Sequence, residues 1–449
     1  MNVSAVESIT VPATARARPA RQNWALYLFV ILMPLQNIYL QYVPNLGGGL
    51  NFLNLMFLVT LLMALRCGGG LVRGTGVNGW VMLYMLGGVL ALMIGLGNVA
   101  DPSGHGNFLK DQFIAVAFVF LAQMSVTDRV GLQRMFLASL LPLPYMFYVL
   151  RDQNATVSAW HYSDHLRISA TFMDLGANEM AAFFVTTCLV TLGLLIGARI
   201  GWGWRAVYAL AATLAGIGVV LSYSRTAYIA ILAGLALILL LSKARLKLIL
   251  PALALLVVLP LLMPPAAVER FDSISIEEGE RDESTDSRFV FWEEAVHHFQ
   301  ENPVLGIGFH TFHHAEFSSA EMDVHNFFLR ELVEKGLVGA VILLGLIWSV
   351  SRLLWRGLAF AAPRSWYGGL VLGLAGAWVA LLIGNGFGDR FTHYAMIAHF
   401  WLYLGLALRG LQLRYAEREA KPEAERRDQG QKQRQKQRIE QRDELGPAT

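Results

Sequence analysis

Long runs of apolar residues alternate with short polar connections over most of the chain. A helix needs about twenty mainly apolar residues to cross the hydrocarbon core of a bilayer. Because backbone polar groups inside that core must be hydrogen-bonded within the segment, each run is predicted to be a helix. The pattern predicts an all-α, polytopic membrane bundle of about twelve transmembrane helices. The predicted spans are residues 24–43, 50–67, 78–98, 108–125, 131–150, 177–197, 203–221, 225–242, 246–263, 337–355, 367–385 and 393–410.

Interruptions of this pattern divide the chain into five segments. A polar tail at residues 1–23 precedes nine spans at 24–263, and a long polar loop at 264–336 precedes three spans at 337–410. The segment 411–449 mixes basic, acidic and amide side chains with almost nothing apolar. It is therefore predicted to be a disordered tail or a frayed, solvated helix.

Composition agrees with a membrane protein. Hydrophobic residues make up 55% of the chain and charged residues only 15%, which excludes an ordinary soluble globule. The two cysteines, Cys67 and Cys188, lie in or beside different apolar runs. Neither a disulfide framework nor a thiolate metal site is predicted from them.

Lysine and arginine residues are concentrated in alternate connections between the predicted spans. Connections rich in these residues face the cytoplasm. Both termini are therefore predicted to be cytoplasmic, and the long polar loop to face outside, which in a bacterium is the periplasm. The richer connections carry Arg66, Arg73, Arg129, Arg134, Arg199, Arg205, Lys243, Arg245, Lys247, Arg352, Arg356 and Arg364.

The long polar loop holds six of the eleven histidines and is predicted to contain two short amphipathic helices. The first extends from Ser287, as its N-cap, to a stop at Asn302-Pro303, because the apolar residues between them recur on one helical face. The second extends from Asp323, as its N-cap, to Gly336, where glycine ends it. It leads directly into the next span.

Three arginines on the predicted outer side are candidates for binding an anionic substrate. Arg225 stands at the start of a predicted span, Arg288 opens the first loop helix, and Arg167 lies before the sixth span. A guanidinium is costly at membrane level and binds phosphate oxygens in bidentate fashion, so several in one cleft would clamp a diphosphate. The alternative for each is an arginine at the membrane interface or an ion pair with a loop carboxylate.

His325 is a candidate general base. It is predicted to lie one or two residues into the second loop helix, where the helix dipole disfavours the imidazolium and keeps the ring neutral. Asn326 beside it is a candidate for orienting either a substrate hydroxyl or the ring. The alternative is an ordinary polar histidine on the surface of a loop.

Metal binding is not predicted. The spacing of His310, His313 and His314 and the acidic run from Glu277 to Asp286 both suggest cations, but neither forms a closed ligand set. A solvated loop accounts for both, and no cofactor is expected. Asp389-Arg390, at the outer end of a span, is either a local ion pair or part of the same cavity as the arginines.

Several short motifs follow one another in order over roughly residues 165–350. They are Ser224-Arg225-Thr226, Asp286-Ser287-Arg288 with Phe291-Trp292, the run from Asn302 to Phe309, His325-Asn326, and Gly336-Leu337-Val338-Gly339. This set resembles the O-antigen ligase and O-antigen polymerase superfamily of bacterial surface-polysaccharide enzymes. Arg167 to Asn178 is similar to a further element of that superfamily, with Ala170 where glycine is usual and Gly176-Ala177 in place of proline.

The resemblance implies a membrane glycosyltransferase of the GT-C type in the bacterial inner membrane. Such an enzyme takes a glycan carried on undecaprenyl diphosphate and transfers it to an acceptor hydroxyl on lipid A–core or a growing polysaccharide. It implies that Arg225 and Arg288 hold the diphosphate and that His325 accepts the proton of the hydroxyl. Arg167, Asn178 and Asn326 would then be substrate-binding residues. The resemblance further implies inversion at the anomeric carbon without a metal ion, and no nucleic-acid partner is expected.

The motifs do not separate a ligase from a polymerase. A flippase for lipid-linked sugars would also need many spans and buried arginines, but its charges should lie at mid-depth of the bilayer. Here the ionisable residues are concentrated at the outer ends of the spans and in the long polar loop. A non-catalytic docking subunit of a polysaccharide-assembly complex is the third interpretation.

Overall fold

The computed structural model describes residues 22–45, 47, 51–173, 176–245, 247, 249–250, 263–272 and 283–444. Within these ranges the chain is helical, with turns and one 3-10 helix at Asp164–Leu166 and without strands. The first seven helices are α1 Trp24–Leu32, α2 Gln36–Tyr42, α3 Phe52–Cys67, α4 Val77–Gly95, α5 His105–Ser125, α6 Arg129–Leu140 and α7 Leu143–Ala155. The remaining helices are α8 Ala177–Gly197, α9 Trp202–Val220, α10 Arg225–Leu241, α11 Pro265–Asp272, α12 Glu283–Glu301, α13 Phe327–Phe360, α14 Trp366–Asn385 and α15 Tyr394–Glu444.

The polytopic helical architecture is as predicted, but the described residues contain fewer full spans than twelve. Seven helices are long and apolar enough to cross a membrane, namely α4, α5, α8, α9, α13, α14 and the first part of α15. They correspond to seven of the predicted spans. The helices α3 and α10 are apolar but shorter, and the predicted span 246–263 lies mostly outside the described residues.

Proline explains the two other departures. The predicted first span is a pair of helices, α1 and α2, bent by 100° at a break that contains Pro34, so it is either a broken span or a re-entrant loop. The predicted span 131–150 is divided into α6 and α7 at Leu141-Pro142. Proline lacks the N–H that a continuous helix needs. A prediction from apolar composition alone therefore misses the break.

Among the described helices, α8 and α14 have the most extensive contact with each other. A Cβ atom added to Gly193 would lie 2.2 Å from the backbone nitrogen of Gly373, and one added to Gly197 would lie 2.8 Å from the Cα of Gly369. Small residues let helix backbones approach where the surrounding lipid supplies no hydrophobic driving force. In the apolar part of α15, 94% of the residues are buried, so this helix lies at the centre of the bundle.

The site described below lies at one end of this bundle, where several helix termini meet. The first turns of α8 and α10 are joined by a hydrogen bond from the Ser224 hydroxyl to Asn178 Oδ1 (2.7 Å). The start of α13 is joined to the segment after α14 by a bond from Phe327 N to Gly388 O (3.2 Å). α15 begins directly after that segment, and an ion pair between Arg390 in the segment and Glu179 on α8 brings the five helix termini together at the mouth of the bundle.

The long polar loop is folded, although its helices are capped differently from the prediction. α12 begins at Glu283 and not at Ser287, and it ends at Glu301 before Asn302-Pro303 as expected. The N-cap of α13 is Asn326, whose side chain accepts from the backbone N–H groups of the first turn. The predicted cap Asp323 instead forms an ion pair, described below.

Gly336 interrupts the helix as predicted, but α13 resumes immediately afterwards. The glycine has φ 62° and ψ −161°, in the left-handed half of conformational space. The preceding loop fills the interruption, with bonds from Leu337 N to Pro303 O (2.8 Å) and from Ile307 N to Val333 O (2.9 Å). The helix continues because the backbone groups released at the kink are hydrogen-bonded by the loop.

Apolar side chains give the long polar loop a small core of its own. Its buried members are Phe291, Ala295, Ile307, Phe312, Val324 and Val333. The chain after residue 411, for which disorder and a solvated helix were both expected, is helical to Glu444.

We expect Gly193→Leu to destabilise the protein by about 3 kcal/mol, because the side chain would meet the backbone of α14 and force two packed helices apart. Thermal unfolding of the detergent-solubilised protein measures the change. The matched control is Gly203→Leu on α9, where an added Cβ has nothing within 4 Å. Equal unfolding temperatures for the two variants would contradict the assigned contact.

Candidate active site

A pocket at the mouth of the bundle is rich in arginine. Every charged side chain that lines it, within the described part of the chain, is a guanidinium. The lining residues are Arg167, Asn178, Tyr223, Ser224, Arg225, Thr226, Arg270 and Arg288. The arginines come from four elements, so the fold assembles a locally positive surface from positions far apart in the sequence. Such a surface fits an anionic ligand with several oxygens, such as a diphosphate.

The turn between α9 and α10 places Arg225 at this pocket. Tyr223 has φ 52°, which tightens the turn, and Ser224 is the N-cap of α10 with its side chain accepting from Ala227 N (3.4 Å). Arg225 is then the first residue of α10, as predicted. The positive end of a helix dipole lies beside its guanidinium, and both favour a bound anion.

Arg270 was not identified from the sequence. It lies in the last turn of α11, is 8% exposed, and its guanidinium stacks over the ring of Tyr162 with its carbon 4.2 Å from the ring centroid. The same reasoning that selected Arg225 and Arg288 applies to it, because it is an arginine in the long polar loop next to a predicted span. α11 is short and adjoins a long apolar run, so its arginine gave no separate signal.

His325 is near the pocket but does not line it. Its ring centroid lies 6.3 Å from that of Phe291, one turn along α12 from Arg288. Burial lowers the pKa of His325, and the positive charge of Arg288 lowers this pKa further. The neutral ring is thus favoured as expected, but the predicted cause is wrong. His325 precedes the N-cap of α13 and lies outside the helix.

The backbone of His325 is held in an uncommon conformation. Its φ is 53°, which a residue with a Cβ adopts only when its surroundings impose it. Trp292 Nε1 donates to Val324 O (3.0 Å) on one side. On the other side, Asn326 Oδ1 accepts from Phe328 N (3.1 Å) and Leu329 N (3.2 Å). The oxygen of Asn326 is therefore used to cap α13, and its role toward a substrate stays a prediction.

A group of buried charges lies next to this segment, centred on Arg330. This guanidinium is 2% exposed and faces three carboxylates, those of Glu334 (3.2 Å), Asp389 (3.2 Å) and Asp323 (3.4 Å). Burial raises the pKa of Asp389 to about 7. The predicted alternative of a local Asp389-Arg390 pair is wrong, because Asp389 binds Arg330 and Arg390 binds Glu179.

Arg390 lines a second pocket that adjoins the first one. The two pockets share Asn178, Ser224 and Thr226. The second interpretation of the sequence placed Asp389-Arg390 in the same cavity as the arginines, and Arg390 indeed lies in the adjoining pocket.

The histidines of the loop form a cluster, which raises the question of a metal. Ligand atoms of His310, His313 and Asp323 lie within 4.8 Å of one another. Arg330 Nη2, however, lies 2.9 Å from His310 Nδ1, and an arginine can only donate. His310 then carries its proton on Nε2, so neither ring nitrogen is free to bind a metal. The permanent positive charge of Arg330 also lies beside Asp323, a second member of the group. These donors do not fit a metal ion as arranged, and the absence of a metal from the reaction stays a prediction.

We expect Arg330→Gln to destabilise the protein by about 3–5 kcal/mol, because it leaves buried carboxylates without their cation. The buried carboxylates would then bind protons more readily in the folded state than in the unfolded state. The free energy of unfolding of the variant should therefore fall as pH rises, more steeply than in the parent protein. Denaturation in detergent at about pH 5 and about pH 8 measures this. Arg66→Gln, at an exposed position, is the control. A pH-independent loss would contradict the assigned charge balance.

Comparison with known proteins agrees with the motifs. Residues 209–344 match a family model described as O-antigen ligase, whereas no curated protein matches the chain. The matched segment contains Arg225, Arg270, Arg288 and His325, while Arg167 and Asn178 precede it. The resemblance to the O-antigen ligase and polymerase superfamily is therefore confirmed for residues 209–344, which match the model of that family.

Proposed function

We propose that this chain is a membrane glycosyltransferase of surface-polysaccharide synthesis. It transfers a glycan from undecaprenyl diphosphate to an acceptor hydroxyl on lipid A–core or on a growing polysaccharide. The observation that carries the proposal is the pocket with Arg167, Arg225, Arg270 and Arg288, within or near the segment that matches the O-antigen ligase family.

The pocket suits the leaving group of such a reaction. As the bond between the anomeric carbon and the diphosphate oxygen breaks, its electron pair passes to the diphosphate and negative charge increases there. Guanidinium groups aimed at that position stabilise the developing charge, which lowers the barrier. Arg225 and Arg288 have this role, with Arg167 and Arg270 as further contacts and Asn178 as a neutral one. No metal is needed if the arginines balance the charge.

His325 supplies the base. A neutral imidazole accepts the proton of the acceptor hydroxyl while the hydroxyl oxygen attacks the anomeric carbon. Attack from the face opposite the diphosphate inverts that carbon. Burial and the charge of Arg288 both favour the neutral ring, so the base is in its active form near neutral pH.

The proposed reaction takes place at the periplasmic face of the inner membrane. The Lys/Arg bias of the connections supports cytoplasmic termini and an external long polar loop. The pocket arginines lie at helix ends and in that loop, which favours chemistry at the membrane surface over passage of a lipid-linked sugar through the bundle.

We expect Arg225→Ala, Arg288→Ala and His325→Ala each to reduce polymer output in cells by about 100-fold or more, because each removes charge stabilisation or the base. Immunoblots of membrane fractions should show unchanged protein levels. His297→Ala is the matched control, since His297 is exposed on α12 and pairs only with Glu301 (3.5 Å) among the described residues. Undiminished output from the three variants would instead support a docking subunit.

Lipid-linked glycans in a deletion strain distinguish the reaction types. Mass analysis should find single repeat units accumulating on undecaprenyl diphosphate if the chain is a polymerase, and long chains if it is a ligase. Accumulation on the cytoplasmic leaflet would indicate a flippase and would refute the transfer reaction.

A further inference from the structure

A second buried ion pair lies beside the segment that carries His325. Arg390, 4% exposed, donates from Nη1 to Oε1 of Glu179, which is 8% exposed and belongs to the first turn of α8. His393 Nε2 lies 3.8 Å from the same oxygen. The sequence separates Glu179 from Arg390 by 211 positions, so the pair fastens the segment between α14 and α15 to α8.

That segment is also hydrogen-bonded to the start of α13, next to His325. Gly388 O accepts from Phe327 N (3.2 Å), two residues after His325. Asn385 Oδ1 accepts from Phe391 N (3.2 Å), which fixes the segment at the end of α14. Movement of Arg390 would therefore shift the backbone that holds His325 in its uncommon conformation.

The charges of the pair also act on the imidazole. Arg390 lowers the pKa of His325 and Glu179 raises it. The other charged groups facing the ring are Arg288 on α12, which lowers this pKa more strongly than Arg390, and Asp323 in the same loop, which raises it. His393 acts on Glu179 and Asp323 as a further titratable neighbour. The effects of Arg390 and Glu179 on the pKa of His325 oppose each other. Loss of one residue therefore leaves the effect of the other uncompensated.

We propose that Glu179 and Arg390 are positioning residues that act through His325, with their ion pair fixing both its backbone and the charge around its ring. Neither residue needs to contact the substrate for this role. This role concerns the same site as the proposed function. It rests on the proposed function only in its effect on activity, because the pKa of His325 can be measured without a reaction.

The test compares Arg390→Gln, Glu179→Gln and the double variant in nanodiscs. The probe is diethyl pyrocarbonate, which modifies neutral imidazole, and mass spectrometry of the peptide with His325 gives its rate of modification against pH. Arg390→Gln should raise the pKa of His325 by about half a unit or more, and Glu179→Gln should lower it by a similar amount. The double variant should return close to the parent value, because no charge is left without a partner.

His297 is the internal control, and its pKa should be the same in all four proteins. If a single variant fails to fold, the double variant and Arg390→Lys replace it, with a restored pKa expected in both. Unchanged values for His325 in both single variants, or shifts in the same direction, would overturn the proposal.

Activity against pH separates this inference from the proposed function. If His325 is the base, the acidic limb of the activity profile moves with its pKa in each variant. A pKa that moves while the activity profile does not would leave the ion-pair inference intact and refute the role of His325 in transfer.

Discussion

An arginine inside a helical bundle keeps its charge at any accessible pH, so each one must be balanced by other groups that the fold supplies or by a ligand. Two arginines here are balanced by carboxylates, Arg330 by three of them and Arg390 by Glu179. Arg409 is held by the carbonyl groups of Gly69, Gly70 and Gln123 at the opposite end. The contacts that balance these charges join helices that are distant in the sequence, so they hold the bundle together and fix the helix ends around the site.

The arginines of the pocket share one cavity. Arg167, Arg225, Arg270 and Arg288 face a common space from four elements, which gathers guanidinium groups where the proposed reaction would release its diphosphate. Arg390 and its partner Glu179 lie alongside, next to the base candidate His325. The proposed site would therefore combine a part that binds an anion with a part that sets the position and protonation of an imidazole.

Local features of this arrangement could be predicted from the sequence. Short-range signals predict the start of α10 at Ser224 and Arg225 and the end of α12 before Asn302-Pro303. The ordered set of motifs predicts that several polar residues meet in one pocket, namely Arg167, Asn178, Arg225 and Arg288. Features decided by tertiary contacts could not be predicted. Asp323 and Asn326 are both good caps, but Asn326 caps α13 while Asp323 forms an ion pair with Arg330. The partner of Arg390 lies 211 positions away and leaves no trace in local pattern.

The kink at Gly336 has a mechanical consequence. The turn that fills it also packs against α4, since a Cβ on Gly308 would lie 2.2 Å from the Cα of Gly95. The segment that leads to His325 is thus packed against two predicted membrane helices, α4 and α13, at its base. A change in the tilt of α4 against α13, such as a bilayer of different thickness would favour, would therefore strain the base of the segment that carries His325.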